Sequence, residues 1–178
     1  AQMAELSTLV QTADNLHSDL ANDYIMAADN AYDYAGNVEK LTELLDGQNQ
    51  MARENALNME ELANATIAAS ELLPDLPDIP EDRLSALLGI GLSVSNDSGK
   101  DVASAIKDIV TNLNAMDSLR DPIDFLSELA DTYNSLPDGS EKKVELLSNI
   151  GGGNHADFLD GLLSNWERYD KMVSDFGN

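Results

Sequence analysis

Apolar residues along this chain recur at helical spacing. Leu6, Leu9, Val10, Ala13, Leu16 and Leu20 fall at i, i+3, i+4 and i+7 intervals and predict one amphipathic helix of about 16 residues. A second, alanine-rich stretch (23–35) carries Tyr24, Ile25, Ala28, Tyr32 and Ala35 on one side. Gly36-Asn37 reads as a helix stop followed by an N-cap, and Val38, Leu41, Leu44 and Leu45 predict a short helix closed by Gly47. Asn58, followed by Met59-Glu60-Glu61, opens a helix through Leu62, Ala65, Ala69 and Leu73 that stops at Pro74. Pro74, Pro77 and Pro80, at intervals of three in PDLPDIPED, exclude helix and favour extended, polyproline-like backbone.

The same periodicity resumes beyond the prolines. Helices are expected over 82–92, over 100–116 (Val102, Ala105, Ile106, Ile109, Val110, Leu113), and from the Asp121-Pro122 start through Ile123, Leu126, Leu129, Ala130 and Tyr133. Pro137-Asp138-Gly139 is a turn, Ser140 an N-cap for Val144, Leu146, Leu147 and Ile150, and Gly151-Gly152-Gly153 a stop. A last helix is predicted over 154–173. No alternating, strand-like run occurs. The expected fold is all-α, an irregular bundle of about eight short to medium helices, divided into an N-terminal helical part (1–73), a Pro-rich elbow (74–81) and a C-terminal helical part (82–178).

Composition narrows the function. The 178 residues suffice for one compact domain or two very small ones, and the absence of cysteine excludes a disulfide scaffold and thiolate zinc sites. With 33 Asp+Glu against 10 Lys+Arg the formal charge is −23, which argues against nucleic acid as a partner, because phosphate recognition needs clustered cations. The charge is spread evenly, at −9, −6 and −8 over residues 1–60, 61–120 and 121–178. A hydrophobic content of 43% argues against simple disorder. The first residues carry no basic, apolar leader pattern, and no run is apolar enough to span a bilayer. The start at Ala1, rather than at a methionine, is read as an excised piece of a longer chain or a processed product.

Candidate chemistry is thin. His17 has Asp14 at i−3, but Asp19 lies off that helix face, so a solvated or capping histidine is the plainer reading; His155, behind three glycines, is read the same way. Gly89 to Ser95 lacks the third glycine of a dinucleotide loop, and as a nucleophile elbow it has Ser95 where glycine belongs. Gly151–Gly153 has no following Lys-Ser pair. Asn96 to Asp101 offers oxygens without the register of a calcium loop. No catalytic, cofactor-binding or metal residue is assigned, and no cofactor is expected. Trp166 and Tyr169, at i and i+3, are read as core residues, with a partner-facing anchor as the sharper alternative.

Four stretches beyond Met59 then stand out. Glu61-Leu62-Ala63-Asn64-Ala65 starts a helix, and Ser98-Gly99-Lys100-Asp101-Val102-Ala103-Ser104-Ala105-Ile106-Lys107-Asp108-Ile109 is a glycine-led helix; a third runs Asp124-Phe125-Leu126-Ser127-Glu128-Leu129-Ala130-Asp131-Thr132-Tyr133-Asn134-Ser135-Leu136. A fourth, Gly152-Gly153-Asn154-His155-Ala156-Asp157-Phe158-Leu159-Asp160-Gly161-Leu162-Leu163-Ser164-Asn165-Trp166, completes the series. In this order and spacing they resemble the tail tape measure proteins of long-tailed bacteriophages and prophages. The chain departs from that pattern with Ala103 for glycine, Asp108 for threonine, Tyr133 for tryptophan, and His155, Asp157 and Leu159 for Gln, Asn and Phe.

The resemblance implies a non-enzymatic structural role, templating tail tube assembly so that protein length sets tail length. It implies tail tube, tail-tip and tail assembly chaperone proteins as partners, and residence in the virion tail after assembly in the bacterial host cytoplasm. Self-association is left open. The alternative from another class is an acidic helical module that docks a basic partner.

Overall fold

A computed structural model describes residues 2–178, the side chain of Leu73 excepted. Among them are ten α-helices, one 3₁₀ turn and no strand. The helices are α1 (Gln2–Asp14), α2 (Ser18–Ala31), α3 (Val38–Glu54), α4 (Met59–Leu72), α5 (Glu81–Val94), α6 (Gly99–Met116), α7 (Pro122–Ser135), α8 (Glu141–Gly151), α9 (Ala156–Ser164) and α10 (Trp166–Asp175). The all-α expectation holds, with ten helices in place of about eight.

The differences have local causes. The first stripe is not one helix: Asn15 takes a left-handed φ of 54° and ends α1. Ser7 Oγ then donates to Asn22 Oδ1 at 2.5 Å and ties α2 back onto α1. Gly47 does not close α3, which runs on to Glu54, because the glycine lies inside a packed face. A Cβ at Gly47 would stand 2.6 Å from the Phe176 ring. The last stretch breaks at Asn165, whose N–H bonds to the Leu162 carbonyl while its side-chain amide donates to Gly161 O at 2.8 Å. The proline stretch is less extended than predicted. It opens with a 3₁₀ turn (Leu73–Asp75), and Ile79 is buried in the larger core.

The helix starts follow the expected chemistry. Asn37, Ser98 and Ser140 each accept a hydrogen bond from the backbone N–H three residues on, and Asp121 accepts from Ile123 and Asp124. Asn58 accepts from Glu61 N at 3.1 Å. Inside these ends α6 turns Val102, Ile106, Ile109, Val110 and Leu113 into the core. Each such side chain contributes about 1.5–3 kcal/mol of hydrophobic burial.

Two cores result. The larger draws on residues before and after the proline stretch, from Met51, Leu62 and Ala65 to Leu87, Ile109, Leu126, Leu159 and Tyr169. The smaller joins α1, α2 and α3 through Leu6, Val10, Tyr24, Ile25, Leu41 and Leu44. Helix α4 serves both, with Leu62 and Ala65 in the larger and Ala63 in the smaller.

Candidate functional site

The four sequence blocks come together in the larger core. Block one lies on α4 and block two on α6, which runs along it. Their seam is close enough to require glycine. A Cβ on Gly99 would collide with the Glu61 carbonyl oxygen and stand 2.6 Å from Ala65 N, both backbone atoms that cannot swing away. The Glu61 carboxylate accepts from Gly99 N at 2.5 Å and closes the seam. Side chains tie neighbouring helices together: Asn112 Nδ2 of α6 donates to Ile150 O of α8 at 2.8 Å, and Asn134 Nδ2 of α7 donates to Leu163 O of α9 at 2.9 Å.

Asp108 and His155, 47 positions apart, meet with His155 Nε2 at 2.9 Å from Asp108 Oδ2. Tyr133 donates its hydroxyl to Asp160. Burial and this carboxylate push the Tyr133 phenol up to about 12.

The remaining candidates settle into structural places. His17 stands at the α2 N-cap position without a side-chain cap bond. Gly89 and Gly91 lie buried within α5, where a Cβ would strike the Met51 side chain and Val102 respectively. Ser93 Oγ takes a hydrogen bond from Arg168 at 2.7 Å. Ser98 caps α6, and Gly152, at φ 63°, ends α8. Among the described residues no group of three or more His, Asp or Glu side chains is placed to hold a metal ion. Nor is any helix long and apolar enough to cross a membrane.

Trp166 and Tyr169 are core residues, 5% and 2% exposed, with rings stacked 4.2 Å apart. Among the described residues, neither the buried Trp166 indole N–H nor the buried Tyr169 hydroxyl has a hydrogen-bond partner. Beside them runs a groove of about 560 Å³ between α7 and the α9–α10 junction. Trp166 and the buried Ala130 line it, together with Asp131 from α7 and Glu167 and Asp170 from α10. Burial, then the neighbouring charges of Asp131 and Glu167, raise the Asp170 carboxyl above its ordinary value.

One feature escapes the periodicity reading. Gln48 is fully buried; it accepts from the Tyr24 hydroxyl and donates to Ser85 Oγ at 2.9 Å. Thr66 Oγ1 stands 3.4 Å from Gln48 Oε1, so α2, α3, α4 and α5 meet at one polar node between the two cores. The available signal was positional: Gln48 continues the stripe Leu41, Leu44, Leu45 and Met51, so a polar group was bound for the interior. Comparison with models of protein families, with curated proteins and with solved structures finds no match.

Proposed function

We propose that the chain is a non-enzymatic segment of a tail tape measure protein of a long-tailed bacteriophage or prophage, acting in the tail as a template for tube assembly. The observation that carries this reading is the mutual fit of the resembling blocks. They follow the family's order in sequence and pack into a single core. The block glycine, Gly99, sits where only glycine fits, and two departures, Asp108 and His155, pair with each other. The partners under this reading are tail tube, tail-tip and assembly chaperone proteins. The evenly spread negative charge keeps the segment soluble at high local concentration and free of the DNA that shares the tail.

Affinity capture on the tagged chain, from cells assembling the phage that encodes it, tests the proposal. Tube or tip proteins retained at both low and high salt are expected. Capture confined to basic host proteins that high salt releases would overturn the reading in favour of an acidic docking module.

A further inference from the structure

The proline stretch between α4 and α5 carries chemistry that the core does not use. A polyproline-type backbone turns once in three residues, and so does the 3₁₀ turn that opens the stretch, so its side chains fall along three edges. Leu76 and Ile79 form one edge, the first half-buried and the second buried, both against the larger core. Pro74, Pro77 and Pro80 form the second edge, and Asp75 and Asp78 the third; all are exposed except Pro77, which is half-buried. Leu76 and Ile79, each preceding a proline, are held out of the helical region, and Pro80 stands at φ −55° and ψ 149°, a polyproline geometry. Anchoring one edge in the core thus displays the other two. Beside the prolines lies a cleft of about 240 Å³, with Pro74, Pro77 and Asp78 on one side and Asn30, Ala31 and Ser70 on the other. Those last three residues belong to the C-terminal turns of α2 and α4, where helix carbonyls carry partial negative charge. No cationic side chain lines the cleft, and Asp75 and Asp78 enter no ion pair among the described residues. Met26, 60% exposed, lies one turn before Asn30 and adds an apolar side chain to that face of α2.

We propose that residues 74–80 form a docking edge for a partner protein that reads polyproline, with an aromatic side chain of the partner entering the cleft against Pro74 and Pro77 while its Lys or Arg side chains meet Asp75 and Asp78. Prolines at intervals of three fit aromatic-lined grooves, and an edge already fixed by its anchor loses little entropy on binding. Charge then selects the rim of that groove. Two carboxylates and two helix C-termini favour cations and repel an acidic surface, including another copy of this chain at −23. The inference rests on the proline edge itself and stands independently of a role in a tail.

The experiment follows backbone amide NMR shifts of the whole chain during titration with three capped peptides: Ac-RWKW-NH₂, which is aromatic and basic, Ac-EWEW-NH₂ and Ac-RLKL-NH₂. Saturable, submillimolar shifts centred on Asn30, Ala31, Leu76, Asp78 and Ile79 are expected with the first, and the other two bind at least about fivefold more weakly. In the Pro74→Ala/Pro77→Ala variant the affinity for Ac-RWKW-NH₂ falls about fivefold or more. Asp75→Asn/Asp78→Asn weakens it at low salt and less so at high salt, whereas Asp19→Asn/Glu39→Gln, equal in charge change but on exposed sites of α2 and α3, leaves it within about twofold. Circular dichroism confirms that each variant is folded, and the aspartate pair tests the edge without touching its prolines. Shifts scattered over the acidic surface, equal binding of the three peptides, undiminished affinity in the proline variant, equal loss in the two charge variants, or no shift at all would overturn the inference.

Discussion

The first third of the molecule and the remainder hold their shape by different means. Between residues 2 and 57, four of the five left-handed residues, Asn15, Asp33, Ala35 and Ala56, are not glycine and have φ near 50°; the fifth is Gly36. Beyond residue 57, every left-handed residue among those described is a glycine: Gly139, Gly152 and Gly177. Helix starts do not divide in the same way. Asn37 caps α3 in the first region and Ser98, Asp121 and Ser140 cap α6, α7 and α8 in the later one, whereas α2, α5, α9 and α10 begin without a side-chain cap bond. The later region places its left-handed turns on glycine, which adopts them without strain. The earlier one is bent into place by tertiary contacts, at a local cost of order 1–3 kcal/mol per left-handed non-glycine residue.

The largest effect is expected where the later region is tightest. Gly99→Ala sets a methyl against the α4 backbone and should destabilise the chain by roughly 3 kcal/mol or more, read from urea unfolding. A loss under ~1 kcal/mol would mean that the α4–α6 seam can yield. Next comes the polar node that joins the regions. Gln48→Leu leaves the Tyr24 and Ser85 hydroxyls buried without their partner and should cost about 2–3 kcal/mol. Adding Tyr24→Phe and Ser85→Ala should recover much of that loss, because no orphaned group then remains. Failure to recover would show that the node holds the helices by shape rather than by hydrogen bonding.

A smaller effect, of opposite sign, belongs to the first region. Ala56→Gly relieves a φ of 52° and should raise stability by about 0.5 kcal/mol, net of glycine's greater freedom when unfolded. The same substitution at an in-register helical position, such as Ala105, should destabilise instead.

Asp170 gives the smallest change and a pH signature. Its folded carboxyl titrates above the ordinary 3.8, so its contribution is fully present below that value and is lost as pH rises through the folded one. Asp170→Asn should therefore stabilise the chain slightly at pH 7, and the gain should vanish as the pH falls towards 3.8. A gain that persists at acid pH would place its cause outside the α7–α10 groove.

How much was legible in the sequence follows from the same contrast. Asn58, Ser98, Asp121 and Ser140 announce their helices because a short polar side chain before an apolar stripe satisfies backbone N–H groups locally. The break after Asp14 was hidden, since Leu16 and Leu20 keep helical spacing while Asn15 turns the chain. The run of α3 through Gly47 was hidden for a different reason. Its cause, the Phe176 ring, lies at the far end of the chain, where no local pattern refers to it. The Asp108–His155 pair and the α7–α10 groove are likewise products of packing. Their residues were visible; their meeting was not.

The central claim, that this segment belongs to a molecular ruler, is tested most directly by changing its length. In a phage that encodes the chain, as proposed, an in-frame duplication of residues 59–178 should lengthen tails in electron micrographs, by up to about 180 Å where the duplicated residues unpack from the bundle into continuous helix at ~1.5 Å per residue. Tails of unchanged length on otherwise complete particles would contradict it.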